Sequence, residues 1–125
     1  MKKLIALVLA FVASSAFAAE FPDISIADLK QAIADKTVTV IDVNGSASYA
    51  NGHVPGAIDF GTSKADLASK LPADKGALVV AYCGGPKCSA YKAAANAASQ
   101  LGYTNVKHLS AGISGWKAAN EALEK

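Results

Sequence analysis

Two runs limit the possible folds of this chain most strongly: Val38-Thr-Val-Ile-Asp-Val43 and Ala77-Leu-Val-Val-Ala-Tyr82. Both have strand length, are rich in β-branched residues, and are apolar on alternating positions of both faces. A strand exposed to water on one side would alternate apolar and polar residues. One that is apolar throughout belongs between two helical layers, as in a parallel sheet. The remaining segments fit that layout. The pattern predicts helices over 27–34 and 46–50, a short strand over 57–60, and a helix capped by Thr62 or Ser63 that runs to Leu71 before Pro72. A longer alanine-rich helix follows over 89–101 with Gly102 as its stop, then a strand over 105–109 and a final helix from Ile113 toward Lys125. Ile24 to Ile26 reads as a short extended piece. Strands alternating with helices give an α/β fold, with a mainly parallel central sheet and helices on both faces.

Ligands of such sheets sit beyond the carboxyl ends of the strands. There the second run delivers Cys83 into a tight loop, Cys83-Gly-Gly-Pro-Lys-Cys88, followed at once by the alanine-rich helix. Unpaired N–H groups at a helix start favour negative charge, so a thiol there is drawn toward thiolate and an anion can be cradled. A free thiol of pKa ~8.5 is only a few per cent ionised at neutral pH. Lowering it toward ~7 raises the thiolate fraction about tenfold. Asp42, near the end of the first run, is expected to hold loop backbone at the same rim by hydrogen bonds. His53, in the turn-forming Gly-His-Val-Pro-Gly56 segment, reads as structural, and His108 has no assigned role.

The first eighteen residues stand apart. Met1-Lys-Lys3 is basic, Leu4 to Val12 is unbroken apolar, and Ser14-Ser-Ala-Phe-Ala18 ends in a small-x-small pattern. This is the form of a secretory signal peptide over 1–18, leaving one domain over 19–125 and a periplasmic or otherwise exported product. The apolar run is short for a membrane span, so no membrane association is expected after cleavage. With Lys2 and Lys3 in the leader, ten lysines face ten acidic residues, and the neutral remainder does not suggest a nucleic-acid partner. Two cysteines in an exported protein would ordinarily be read as a disulfide staple. Cys83 and Cys88 are only five apart, so a bridge would constrain the unfolded chain little. A functional thiol or a reversible redox pair is the stronger reading. Between the roles open to Cys88, helix capping by a small residue or an effect of mere proximity is favoured over an obligate resolving role.

Four stretches in register resemble the rhodanese-like, single-domain sulfurtransferase family. They are Val40-Ile-Asp-Val43; Tyr49-Ala-Asn-Gly-His-Val-Pro-Gly-Ala-Ile58; Val80-Ala-Tyr-Cys-Gly-Gly-Pro-Lys-Cys-Ser89; and Gly102-Tyr-Thr-Asn-Val106 with Ala111-Gly-Ile-Ser-Gly-Trp116. The resemblance implies that Cys83 takes a sulfane sulfur as a persulfide from a small anion such as thiosulfate or polysulfide. It then passes that sulfur to cyanide, a thiol or a protein thiol, with no metal or organic cofactor. The persulfide would be held by the N–H groups of Gly84, Gly85, Lys87, Cys88 and Ser89, with the paired glycines supplying positive φ or close backbone approach. A non-catalytic sulfur carrier or binding module is the alternative, and thiol–disulfide exchange comes after it.

Cysteine phosphatases use a similar cradle but need an Arg after Cys-x5. Here that position is Ser89, and the chain contains no arginine. Thioredoxin-type exchange uses Cys-x2-Cys, whereas this spacing is Cys-x4-Cys. Two cysteines and two unrelated histidines fall short of a zinc site. The sequence also departs from the resembled family: Asn44 stands where an Arg commonly follows Asp-Val, and Ser46 to Ser48 lack the usual acidic residues. Both changes remove a supporting ion pair from the rim.

Overall fold

The computed structural model describes residues 21–125. The leader expected over 1–18 lies outside the described residues. Four parallel strands, β1 (Val38–Asp42), β2 (Ile58–Asp59), β3 (Leu78–Tyr82) and β4 (Val106–His108), form one sheet in the order β2-β1-β3-β4. None of the residues over 24–26 joins the sheet: Ser25 is extended as the cap of the first helix, and it is the neighbouring Asp23 that makes a parallel bridge to His108. Ile26 already belongs to the first helix.

Among the described residues, six α-helical segments accompany the sheet: α1 (Ile26–Ala34), α2 (Ser46–Asn51), α3 (Phe60–Ser63), α4 (Leu67–Lys70), α5 (Tyr91–Gln100) and α6 (Gly112–Ala118). Ser25 starts α1 by accepting a hydrogen bond from the Asp28 N–H at 3.0 Å, and Asp28 complements the helix dipole. Alternate side chains of the central strands enter two separate cores. Ile41, Val79, Ala81 and Cys83 pack with Leu67, Tyr91, Ala94, Ala95 and Ala98 on the α4 and α5 face. Val40, Val80 and Tyr82 pack with Leu29, Val54, Leu109 and Trp116 on the α1 and α6 face. The period-2 division of apolar strands between two helical layers is what their composition demands.

Three elements differ from the sequence expectation. The helix expected from Thr62 or Ser63 to Leu71 breaks into α3, a 3-10 turn (Lys64–Asp66) and α4. Asp59 caps the segment early by accepting from the Gly61 N–H at 2.9 Å, and Gly61, Thr62 and Ser63 are poor helix formers. The alanine-rich helix begins at Tyr91 instead of Ser89. Two tight bonds, Lys92 N–H to Ser89 C=O at 3.0 Å and Ala93 N–H to Ala90 C=O at 3.1 Å, fill the gap. The last helix ends at Ala118 because Asn120 turns left-handed at φ 61° and the Glu121 N–H closes back onto Trp116 C=O. The tail then returns along the protein, and the Glu124 backbone exchanges two 2.9 Å hydrogen bonds with His53.

At the β4 edge, His108 is buried and stacked on Tyr91, with ring centroids 3.4 Å apart, and its Nε2 has no hydrogen-bond partner. Burial pushes the imidazole below its ordinary value of 6.5; Asp23 opposes this weakly and Lys92 reinforces it. The unfolded chain therefore takes up this proton first as pH falls. The contribution of His108 to stability is full above 6.5 and is lost as pH drops through the lower folded value. Urea denaturation between pH 7.5 and 5 is expected to show stability falling on the acid side. His108→Phe, which keeps the stack, should flatten that limb; an unchanged slope in the variant would remove His108 as its source.

Candidate active site

Cys83 follows β3 directly, is only 1 % exposed, and lies on the α5 face of the sheet. Its sulfur is joined to that of Cys88, across a Cα–Cα distance of 6.2 Å. The separation falls in the ordinary disulfide range of about 4.4–6.8 Å, so the loop brings both side chains together without disturbing a helix or strand. The preferred capping role for Cys88 is therefore corrected: no side chain caps α5, and Cys88 is the bonded partner of Cys83. A bridge closing so small a loop removes little chain entropy, about 2 kcal/mol by the usual loop-length relation against about 4.7 for a hundred-residue loop.

The main chain around the two cysteines is pinned from one side. The carbonyl of Cys83 accepts from the Ile113 N–H at 3.0 Å, and that of Gly84 accepts from the Ser114 N–H at 3.0 Å and from the Ser114 hydroxyl at 2.7 Å. A trans peptide points each C=O opposite to the N–H that follows it. Turning these two carbonyls toward α6 thus turns the N–H groups of Gly84 and Gly85 away from it. Among the described residues, the N–H groups of Gly84, Gly85, Lys87 and Ser89 donate to no protein acceptor. Cys88 is the exception in the expected cradle, since its N–H closes a turn onto Gly85 C=O at 3.1 Å. Pro86 has no N–H to give.

The glycine requirement also sits elsewhere than expected. Neither Gly84 nor Gly85 has positive φ, and a Cβ on either would meet its nearest atom no closer than 3.5 Å. Gly112 is the constrained position: its φ is +63°, and a Cβ there would lie 2.5 Å from Gly84 C and Gly85 N. The first turn of α6 can reach the loop only because residue 112 has no side chain.

Asp42 anchors the neighbouring rim. It is 1 % exposed, and its carboxylate accepts from the Asn44 N–H at 2.8 Å and from the Tyr82 hydroxyl at 2.6 Å. The Tyr82 hydroxyl in turn accepts from the Val54 N–H at 3.0 Å. Burial, then the hydrogen bond to Asp42, pushes the Tyr82 phenol far above its ordinary 10.0, so it stays a proton donor. Asp59 is held in a similar way, by the Ser46 hydroxyl at 2.6 Å and the Gly61 N–H. Among the described residues neither carboxylate has a cationic partner. Both carboxylates are satisfied by neutral donors alone. The buried amide nitrogen of Asn44 has no partner. His53 is structural: its Nδ1 lies 2.8 Å from Tyr49 C=O, its ring stacks on Tyr49, and its backbone pairs with Glu124. Lys87 is exposed.

Sequence reasoning singled out the cysteine loop and Asp42 but not Gly112, Ser114 or Tyr82. The first two lie in the quoted Ala111-to-Trp116 stretch, where a glycine beginning a helix was the available signal. Tyr82 looked like one more apolar strand residue. Among the described residues, no three His, Cys, Asp or Glu side chains come together as a metal site. A shallow groove of about 550 Å³ along α1, lined by Ile26, Lys30, Gln31 and Glu121 among others, shares no residue with the cysteine loop.

The family model described as Rhodanese-like domain matches residues 25–119. The chain is 31% identical over 101 residues to the thiosulfate sulfurtransferase GlpE of Shewanella oneidensis, covering 80% of this chain and 96% of that protein. It is 34% identical over 89 residues to the HTH-type transcriptional regulator Rv0324 of Mycobacterium tuberculosis, covering 70% of this chain but only 38% of the regulator. Among solved structures, the BH2092 protein of Bacillus halodurans is 28% identical with a TM-score of 0.64, covering 92% of this chain and 83% of that one. The human single-domain sulfurtransferase TSTD1, at 20% identity and a TM-score of 0.63, covers 79% of this chain and 97% of its own, and shares the fold.

The Gly112 contact makes a sharp test of how the loop is held. Gly112→Ala adds a Cβ into loop backbone at a left-handed position and should cost at least about 2 kcal/mol. Chemical denaturation measures that loss, and a variant within about 0.5 kcal/mol of the parent would show that α6 does not set the loop.

Proposed function

Because the chain belongs to the rhodanese-like domain family, we propose that it is a sulfurtransferase that carries sulfane sulfur as a persulfide on Cys83. The observation that supports this most is the loop itself. A cysteine at the carboxyl end of a central strand opens a loop in which four N–H groups have no protein acceptor among the described residues. Those donors suit a small anion that is bound, used and released.

In the reduced protein, the Cys83 thiolate attacks the outer sulfur of a donor such as thiosulfate. The sulfur–sulfur bond of the donor breaks, sulfite leaves with the electron pair, and Cys83 keeps the sulfur. An acceptor nucleophile (cyanide, a small thiol or a protein thiol) then attacks that outer sulfur and returns Cys83 to thiolate. No proton need pass through Asp42, whose two bonds hold the rim. Exposed Lys87 adds attraction for an incoming anion. No organic cofactor or metal enters this scheme. The basic and apolar pattern of residues 1–18 supports export, so we place this chemistry outside the cytoplasm.

A second reading is a sulfur-carrying module that loads once and hands its sulfur to a partner. It is favoured by the match to a segment amounting to 38% of a protein named as a transcriptional regulator. Turnover separates the two: an enzyme releases many sulfurs per chain to added cyanide or thiol, and a carrier stops at one.

Intact mass after anaerobic incubation of the reduced protein with thiosulfate tests the main claim. The expected adduct is one sulfur, about 32 Da, seen in Cys88→Ser and missing from Cys83→Ser. No adduct with any sulfane donor would end the persulfide reading. The disulfide form, with no free thiol at Cys83, should be inactive until reduced. Full activity in protein titrating with no free thiols would contradict this.

A further inference from the structure

We propose that Cys88 is a second nucleophile, which resolves the Cys83 persulfide and releases its sulfur as hydrosulfide. The inference rests on the persulfide reading above and adds an outcome that needs no external acceptor. In this step the proton of the Cys88 thiol passes to the sulfane sulfur, and the Cys88 sulfur attacks Sγ of Cys83, the inner sulfur of the persulfide. The bond from that sulfur to the sulfane sulfur breaks, and the sulfane sulfur departs with the electron pair as HS⁻. Two cysteine sulfurs are oxidised to the disulfide while the sulfane sulfur is reduced from the zero-valent level to sulfide. The product on the protein is the Cys83–Cys88 bond present in the structure. With thiosulfate as donor, one dithiol loop yields one sulfite, one hydrosulfide and one disulfide. An external dithiol then returns the pair to two thiols.

Three features of the loop carry this assignment. First, the two sulfurs reach bonding distance at a Cα–Cα separation of 6.2 Å, with β3 and α5 in place on either side. An attacking group held on the same short loop has the advantage of an intramolecular reaction over any acceptor arriving from solution. Second, the loop does not depend on the disulfide for its shape. Cys83 and Gly84 are tied by their carbonyls to α6, and Cys88 is positioned by its own N–H on Gly85. The N–H that would otherwise have joined the cradle is the one spent on aiming the second cysteine.

Third, the two sulfurs differ in access. Cys83 is 1 % exposed, whereas Cys88 is half-buried and borders an exposed stretch, Pro86-Lys87 before it and Ser89-Ala90 after it. Cys88 is the less buried partner of the bridge, and so the side from which a reductant in solution approaches. Attack there makes Cys83 the leaving thiolate and frees it for the next donor, the order that a cycle requires. The small loop gives the bridge little value as a staple, so its formation and loss leave the fold in place.

The experiment uses the full mature chain, reduced, desalted and kept free of oxygen, with one equivalent of thiosulfate and no added thiol. Mass and released sulfide are followed together over time. In the wild type, the adduct of about 32 Da should appear transiently and give way to a chain about 2 Da lighter than the reduced protein, with close to one sulfide released per chain. Cys88→Ser and Cys88→Ala should both keep the adduct and release no sulfide until a thiol is added. A wild-type adduct that persists as long as that of the Cys88 variants, with no sulfide, overturns the inference and leaves the persulfide on Cys83 intact. If neither the variants nor the wild type takes up sulfur, and no sulfide appears, the persulfide reading falls and this inference falls with it. Should a Cys88 variant fail to fold, the wild-type mass and sulfide count still decide between the first two results.

Discussion

A buried carboxylate without a cation is the constraint around which the working edge of this protein is arranged. Asp42 sits at the end of β1 and is closed off from water, so each oxygen that lost a water needs a donor from the chain. One donor is the backbone of Asn44, which fixes how the chain leaves β1. The other is the Tyr82 hydroxyl, one residue before Cys83 and in register with Asp42 across the sheet. That same hydroxyl accepts from Val54 and so holds the turn-rich connection leading toward β2. A buried group left unsatisfied costs about 1–3 kcal/mol. Three segments distant in sequence are thus held to one another by a chain of donors in which no member is free to move alone.

Pinning the end of β3 fixes where Cys83 emerges, and α6 fixes how the chain continues. Its first turn approaches so closely that Gly112 must lack a side chain, and it captures the two carbonyls that follow the strand. Peptide planarity does the rest: with the carbonyls committed to one side, the next N–H groups are presented to the other. The set of N–H groups without protein acceptors is therefore less a property of the α5 terminus than of α6 acting through the loop. That explains why α5 can begin at Tyr91, beyond the cysteines, without dismantling the site.

These relations also mark what the sequence could reveal. The strands were legible because their faces are apolar in alternation, and a parallel sheet places their ends at one rim. Cys83 and Asp42 stood out as exceptions at the ends of such runs. By contrast, the tyrosine of Tyr82 is legible as core but not as the donor to a particular carboxylate 40 positions away. The glycine pair at 84 and 85 drew attention through composition, while the steric demand fell on Gly112, whose neighbour is distant in sequence. Local rules predicted one helix after Phe60 and another out to Lys125. Asp59, bound to Ser46, starts the first too early, and the pairing of Glu124 with His53 pulls the chain away from the second. In each case a contact made across the fold overrides propensity along the chain.

The proposed persulfide cargo suits what the rim lacks. Two buried carboxylates, Asp42 and Asp59, take neutral donors, and no arginine exists anywhere in the chain. A phosphate ester needs the planar, bidentate fork of a guanidinium to spread its charge over several oxygens. A persulfide carries one negative charge on one terminal sulfur, which a few aligned backbone N–H groups can meet without any cation. The same loop that withholds an arginine at Ser89 places a cysteine at the preceding position. A group that would clamp an oxyanion is absent, and a group able to react with sulfur stands beside it. Under the proposed function, recognition by backbone dipoles and reaction by a neighbouring thiol are two uses of one six-residue turn, held in shape from outside by Gly112, Ile113 and Ser114.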